Sequence, residues 1–225
     1  MRVYVHTHGC RLNAAESRHW IEELESQGLT VTEKMDETVN VAIVNSCAVT
    51  DEAESKCRQS IRQIIRIQPE VGLIITGCMV ERNPQALLRA HHRLLILGNG
   101  EKHRLVTHIR DLARGKIIAP IIRPILAKED FTLPCVLEKD YPKRYNLKIQ
   151  EGCDFGCSYC IIPRLRGKGR SRDFGNLLED ARIHVQKGVK EIVLTGINVG
   201  LYGNDSKHLS DVITALNDLP GLERI

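Results

Sequence analysis

Val41-Ala42-Ile43-Val44-Asn45-Ser46-Cys47-Ala48-Val49-Thr50-Asp51 is the stretch on which the fold turns. Four apolar residues in succession, with no polar alternation, read as a strand buried on both faces, the pattern of a parallel sheet covered by helices. Thr50 or Asp51 then serves as a helix N-cap, and Asp51–Ile67 continues with helical spacing. Working outward, the same phrase recurs. Val3–His6 is a strand followed by a helix over Ala14–Gln27 that stops at Gly28. Leu73–Thr76 is a strand followed by a helix over Asn83–Ala90, with Pro84 near its first position. Leu94–Leu97 and Lys102–Ala113 complete the series. Such alternation predicts an α/β fold, a doubly wound parallel-sheet domain over residues 1–120.

Between Gly115 and Pro142 the pattern breaks, with Pro120, Pro124, Pro134 and Pro142 interrupting any helix, so residues 121–144 read as a linker with at most one short strand. A second βα series begins at 145 and runs to 225. Its expected parts are a strand over Leu147–Gln150, a long loop over 153–172, a helix over Leu177–Lys187, a strand over Glu191–Thr195, a helix over His208–Leu216, and the start of a third strand at Leu222–Ile225.

Composition narrows the class. Of 225 residues 42% are hydrophobic, enough for a sizeable core, and the net charge of +4 is too mild to argue for nucleic acid by itself. No apolar run approaches the roughly 20 residues that span a bilayer, and the N-terminus runs straight into a strand without a signal-like segment. A soluble cytoplasmic protein without a membrane partner is expected. In that reducing compartment eight cysteines point to metal ligation or catalysis rather than to disulfides.

Three of them occupy equivalent positions. Cys10, Cys47 and Cys78 each follow a buried strand and precede a helix. In a parallel sheet such turns emerge at one edge, so thiols far apart in sequence should meet there. Helix N-termini aimed at the same place favour the thiolate, the form that binds metal. Three thiolates without an obvious fourth suggest an iron–sulfur cluster with one open iron, since such clusters ordinarily take four cysteines. Small buried hydrophobes are the plainer alternative, and a structural zinc site is another, which would need a fourth protein ligand such as His6 or His8.

A second constellation is Gln150-Glu151-Gly152-Cys153-Asp154-Phe155-Gly156-Cys157-Ser158-Tyr159-Cys160. Its C-x3-C-x2-C spacing, with aromatic Tyr159 before the last cysteine, again offers three ligands after a strand. Gly152 and Gly156 would let the loop wrap a bulky group. The alternative is a loop of structural thiols. Arg164-Leu165-Arg166-Gly167-Lys168-Gly169-Arg170-Ser171-Arg172 carries five cations in nine residues, suited to RNA phosphates, to a carboxylate, or simply to solvent. Cys57, within a helix, and Cys135, in the linker, read as structural.

Together, Thr7-His8-Gly9-Cys10-Arg11-Leu12-Asn13, Val44-Asn45-Ser46-Cys47-Ala48-Val49-Thr50, Thr76-Gly77-Cys78 and the 151–172 segment resemble the methylthiotransferase family of radical S-adenosylmethionine (SAM) enzymes over essentially the whole chain. The resemblance implies that residues 145–225 begin a partial (βα) barrel. It implies one [4Fe–4S] cluster on Cys153, Cys157 and Cys160, whose open iron chelates SAM for reductive cleavage to methionine and a 5′-deoxyadenosyl radical. A second, auxiliary [4Fe–4S] cluster on Cys10, Cys47 and Cys78 would carry the sulfur to be inserted, and a second SAM would give the methyl group. Tyr159, Gly196, Asn198 and Arg172 are the implied cofactor-binding residues, the middle two lying at the end of a barrel strand, where such sites sit.

Leu194-Thr195-Gly196-Ile197-Asn198-Val199-Gly200-Leu201-Tyr202-Gly203 and Cys47-Ala48-Val49-Thr50-Asp51-Glu52-Ala53 look most like the branch that modifies C2 of N6-threonylcarbamoyladenosine 37 in the tRNA anticodon loop. The isopentenyladenosine branch and the ribosomal-protein branch are the competitors, and a non-catalytic electron-transfer protein or a zinc-holding RNA-binding module are the other function classes. Implied partners are tRNA and a low-potential electron donor, and the oligomeric state is not legible. A complete member would carry further barrel units and a small C-terminal domain, so the chain is expected to be a fragment.

Overall fold

The apolar run from Val41 becomes the middle of a five-stranded parallel sheet. The computed structural model describes residues 1–116, 119–122, 131–133, 135, 143–203 and 206–225. The chain divides into two units, Met1–Ile125 and Leu126–Ile225.

In the first unit, β1 (Arg2–Thr7), β2 (Thr30–Thr32), β3 (Val41–Ser46), β4 (Gly72–Gly77) and β5 (Leu94–Leu97) pair in the order β2-β1-β3-β4-β5. Every residue of β3 and β4 is buried, as unalternated apolar strands require. The pleat then sorts their side chains. Val41 and Ile43 of β3, Ile74 of β4, and Leu95 and Leu97 of β5 face helices α1 (Arg11–Ser26) and α4 (Leu105–Ala113), meeting Trp20, Leu24, Leu105, Ile109 and Leu112. The alternate residues, fully buried Ala42, Val44, Leu73 and Ile75, face the other side, where α2 (Asp51–Ile67) buries Ile61 and Ile64. Each such side chain contributes roughly 1.5–3 kcal/mol. Helices on both faces make the sheet doubly wound.

Several elements differ from expectation. The helix expected over Asn83–Ala90 is instead α3 (Cys78–Arg82), followed by a single 3-10 turn at Pro84–Ala86. Pro84 is the cause, because a residue before proline is pushed out of the helical region. Asn83 sits at φ −156°, ψ 78°, and its side chain caps the new turn at Ala86 N. Strand β2 is also unforeseen, being three residues long and polar. The linker expected over 121–144, with Pro124, Pro134 and Pro142, falls largely outside the described residues. Within it Ile121 bridges to Leu97 and Phe131 to Arg172.

In the second unit, β6 (Arg144–Lys148) runs on almost directly into β7 (Gln150–Glu151). β7 pairs antiparallel with β8 (Arg170–Ser171), which follows α5 (Ile162–Arg166). Helix α6 (Phe174–Gln186) then crosses over to β9 (Glu191–Thr195), which pairs parallel with β6, Leu147 opposite Leu194. Leu177, Ala181 and Val185 of α6 and Val212 and Leu216 of α7 (Leu209–Asn217) pack on Tyr145, Leu147 and Ile192. The strand expected at Leu222–Ile225 is present as one parallel bridge, Glu191 to Arg224. Neither α5 nor β8 was expected in the 153–172 loop. Among the described residues no helix is long and apolar enough to cross a membrane.

Candidate metal centres

Strands β1, β3 and β4 are neighbours and parallel, so their C-terminal ends share one sheet edge. Cys10 caps the N-terminus of α1 three residues beyond β1, Cys47 follows β3 directly, and Cys78 follows β4 directly as the first residue of α3. Ser46 pairs with Gly77, so Cys47 and Cys78 are the next positions in the same register. Cys47 and Cys78 are buried and Cys10 is exposed, which leaves the trio open to solvent on one side.

The turns are packed against one another. Gly9 has φ +94°, and a Cβ built on it would stand 2.7 Å from Cys47 Cβ and 2.8 Å from Cys47 Sγ. Gly77 has φ +100°, and its Cβ would stand 2.4 Å from the Ser46 carbonyl oxygen. Only glycine suits both the dihedral and the contact. Residues 9–10, 46–47 and 77–78 therefore touch through backbone that side chains would otherwise hold apart.

Three further side chains hydrogen-bond to these turns. Asn13 Nδ2 donates to the His8 carbonyl at 2.8 Å and to the Ser46 carbonyl at 3.0 Å. Ser46 Oγ donates to the Thr76 carbonyl at 2.5 Å and accepts from Met79 N at 3.3 Å. Cys57 Sγ accepts from Cys47 N at 3.3 Å and donates to the Cys47 carbonyl at 3.5 Å. Burial pushes the Cys57 thiol up to about 11, so it is a neutral thiol at pH 7. Sequence reading passed over Asn13 and Ser46 as partners, because a buried polar residue inside a helix or strand carries no periodic signal.

His6 and His8, considered as fourth ligands, are engaged elsewhere. Tyr4 Oη and His6 Nδ1 are 2.8 Å apart, and His8 Nε2 and Ser60 Oγ of α2 are 3.0 Å apart. Among the described residues no three His, Cys, Asp or Glu side chains converge on a single metal ion. A four-iron cluster asks for something wider, since its thiolates bind separate corners. Soft thiol donors on three adjacent turns, with glycine where bulk would intrude, are the donor chemistry such a group takes.

In the second unit the cysteine loop grows from β7. Gly152 has φ +71°, and a Cβ there would fall 1.9 Å from the Lys168 carbonyl oxygen. Cys153 N donates to the Gly167 carbonyl at 3.1 Å and Gly169 N to Asp154 Oδ1 at 3.3 Å, which tie the root of the loop to 167–169. Cys160 N donates to the Cys157 carbonyl at 3.0 Å, closing a turn that carries both outer cysteines. Cys153 is half-buried and Cys157 and Cys160 are exposed. Tyr159 stands 90% exposed between them. Gly156, expected to help the loop wrap, has open space around it.

Gln150 joins this root to the end of β9. Its Oε1 accepts from Ile197 N and Asn198 N, both at 3.0 Å, and its Nε2 donates to the carbonyls of Glu151 and Gly152 at 3.0 and 2.8 Å. Gly196 packs on Gln150, where a Cβ would lie 3.0 Å from Oε1. The structure therefore brings Gly196 and Asn198 to the base of the cysteine loop through a side chain that pattern reading did not single out.

Arg172 is placed differently from the pocket role implied for it. It is fully buried, with Nη1 donating to Asp180 Oδ2 at 2.6 Å and Nε to Asn176 Oδ1 at 2.7 Å. Tyr145 Oη donates to the same Asp180 oxygen at 2.9 Å, and the Tyr145 ring stacks on His184 at 3.7 Å. Asp180 draws the guanidinium inward, because a buried charge needs a partner. The rest of the cationic stretch follows suit. Arg166 is buried, Arg170 pairs with Glu151, which also pairs with Lys148, and only Arg164 and Lys168 are exposed. Cys135 is half-buried against Asn176 and Arg172, its thiol pushed up by burial.

Comparison with known proteins adds to this geometry. Residues 2–98 match the family described as Uncharacterized protein family UPF0004, and residues 147–219 match the radical SAM superfamily. Threonylcarbamoyladenosine tRNA methylthiotransferase MtaB of Rickettsia prowazekii is 36% identical over 205 residues, 91% of this chain and 45% of that protein. The enzyme of the same name from Bacillus subtilis is 33% identical, over 91% of this chain and 45% of its own length. The tRNA-2-methylthio-N(6)-dimethylallyladenosine synthase of Cereibacter sphaeroides is 30% identical over 100% of this chain and 52% of its own. The chain thus spans about half the length of the curated relatives it matches. Among solved structures, the cobalamin-dependent S-adenosylmethionine radical enzyme OxsB superposes with TM-score 0.60 at 10% identity, over 96% of this chain and 36% of that one. That likeness is one of fold.

Proposed function

The chain joins a domain of the UPF0004 family to a domain of the radical SAM superfamily, and from that footing we propose that the protein is a tRNA methylthiotransferase. Its substrate in this reading is N6-threonylcarbamoyladenosine 37 in the anticodon loop, modified at C2 of the base. The relatives named for that nucleoside support the choice, while the 30% identity to a dimethylallyladenosine synthase keeps the isopentenyl-type base as the second reading.

One observation carries the proposal: two independent sets of three cysteines, each set at the C-terminal ends of parallel strands or on the loop that leaves one. Cys153, Cys157 and Cys160 would hold one [4Fe–4S] cluster, and Cys10, Cys47 and Cys78 the auxiliary one. Held by Cys153, Cys157 and Cys160, such a group would supply one-electron cleavage of SAM, the radical chemistry that a non-acidic C–H bond requires. The chain's own part is positional. Gly152 and Gln150 fix the root of the 153–160 loop against 167–169 and 196–198, so that Asn198 and Gly196 would border a group bound there. Tyr159, exposed between two ligands, offers an aromatic face to it. Arg172, paired with Asp180, acts from inside the unit, donating to the Lys148 and Ile149 carbonyls that precede the loop. At the auxiliary set, the exposed position of Cys10 would leave room for a sulfur atom to be carried and given up. A low-potential electron donor completes the scheme.

The test is nucleoside analysis of tRNA. Deletion of the gene should abolish the 2-methylthio form of threonylcarbamoyladenosine, and the wild-type protein should restore it where Cys153→Ala does not. Loss of the 2-methylthio isopentenyl-type nucleoside instead would transfer the assignment to the second reading. An unchanged nucleoside profile would end both.

A further inference from the structure

From the hydrogen bonds among the three turns of the first unit, we infer that Asn13, Ser46 and Cys57 are positioning residues that preset Cys10, Cys47 and Cys78 for one cluster. The inference rests on the ligand assignment proposed above and adds the device that makes it work. Each of the three side chains spans two backbone points, and the points are the flanks of the cysteines. Asn13 holds the His8 carbonyl, two residues before Cys10, and the Ser46 carbonyl, one residue before Cys47. Ser46 Oγ holds the Thr76 carbonyl and Met79 N, which lie on either side of Gly77-Cys78. Cys57 reaches from α2 to both the N–H and the carbonyl of Cys47. Taken together, the first turn is tied to the second, the second to the third, and the second to the helix behind it.

Burial gives these links their strength. Asn13, Ser46 and Cys57 are all fully buried, and a hydrogen bond removed there leaves a backbone group unpaired where water does not replace it. Asn13 is itself held, since α1 is fastened to β3 by Asn45, whose Nδ2 donates to the Asn13 carbonyl at 2.9 Å and to Ser17 Oγ at 3.0 Å. Thiolate ligands must stand at fixed corners before a cluster binds all three, and supporting hydrogen bonds outside the ligand set are a general means of orienting ligands. The Cys57 thiol serves through its two hydrogen bonds to the backbone of Cys47.

The experiment is anaerobic iron–sulfur reconstitution of the purified protein with Ser46→Ala, Asn13→Ala and Cys57→Val, alongside the conservative Ser46→Thr and Cys57→Ser. Bound iron, electron paramagnetic resonance of each cluster, and thermal melting are read. Wild type should take up about eight irons per chain, as two four-iron clusters require. The first three variants should fall twofold, to about four, with the auxiliary signal lost and the signal of the 153–160 cluster retained. Ser46→Thr and Cys57→Ser should recover most of the loss. The inference is overturned if the truncating variants melt like wild type and keep all their iron, or if the conservative variants lose as much as the truncated ones. It is also overturned if all three truncations unfold the domain, since the residues would then hold the sheet and not the turns. A wild-type protein that takes up four irons or none instead overturns the ligand assignment itself, a result distinct from any of these.

Discussion

Glycine before cysteine is the recurrent device at the scale of single residues. Gly9, Gly77 and Gly152 all adopt positive φ, and at each the space for a Cβ is already filled by Cys47, Ser46 or Lys168. The prediction is sharpest at the tightest contact. Gly152→Ala should destabilise the second domain by about 3 kcal/mol or more, combining the dihedral penalty with overlap against a carbonyl that has no room to move. Gly156→Ala, in open space, should change stability by about 0.5 kcal/mol or less. Urea melts at unchanged m-value distinguish the two. Arg172→Ala should cost about 3–5 kcal/mol, because it removes the guanidinium that balances the buried Asp180 carboxylate, and adding Asp180→Ala should cost far less than a second such loss. His91 gives a pH test. Burial holds its imidazole below the usual histidine range despite a 2.8 Å contact to the Val71 carbonyl. The folded form therefore binds its proton less readily than the unfolded chain. Its contribution is intact above the ordinary histidine value of about 6.5 and is lost as the pH falls from there through the lower folded-state value. Wild type should lose more stability than His91→Gln between pH 7 and 5.5, and equal losses would contradict the reading.

Elements with a strong pattern were legible, and those defined by a few polar residues were not. Helix α2 spans Asp51–Ile67 and β5 and β9 span Leu94–Leu97 and Glu191–Thr195, as read from spacing alone, because long amphipathic or wholly apolar segments outweigh local exceptions. Thr50 caps α2, its Oγ1 accepting from Ala53 N at 3.2 Å, with Asp51, Glu52 and Glu54 in the first turn. Thr50→Ala should cost about 1 kcal/mol, measured by chemical denaturation. A cost near zero would mean that the acidic turn alone starts the helix. Short β2, β7 and β8 carry no signal of their own. β2 forms against the longer β1, and β7 and β8 form against each other, so each depends on a partner strand that is known only once the sheet is built. The cationic stretch 164–172 shows the same limit: read as a run it suggests an exposed basic loop, yet Glu151 and Asp180 turn two of its arginines inward. Pairing across 19 residues or eight is invisible to a count of charge.

For the whole molecule, the two cysteine sets were legible in sequence as candidates, because several thiols at strand ends have few explanations. What sequence withheld was the hydrogen bonding around them: Asn13, Ser46, Cys57 and Gln150 link positions 5 to 48 residues apart. The central claim is that the two sets are separate and each sufficient for one cluster. The most direct measurement is Mössbauer spectroscopy with iron and sulfide counts on three reconstituted proteins: wild type, the Cys10, Cys47 and Cys78 triple alanine, and the Cys153, Cys157 and Cys160 triple alanine. The account predicts about eight irons in the first and about four in each of the others, with dithionite-dependent SAM cleavage surviving only where 153–160 is intact. Retention of about eight irons by either triple variant, or loss of all iron from both, would contradict it.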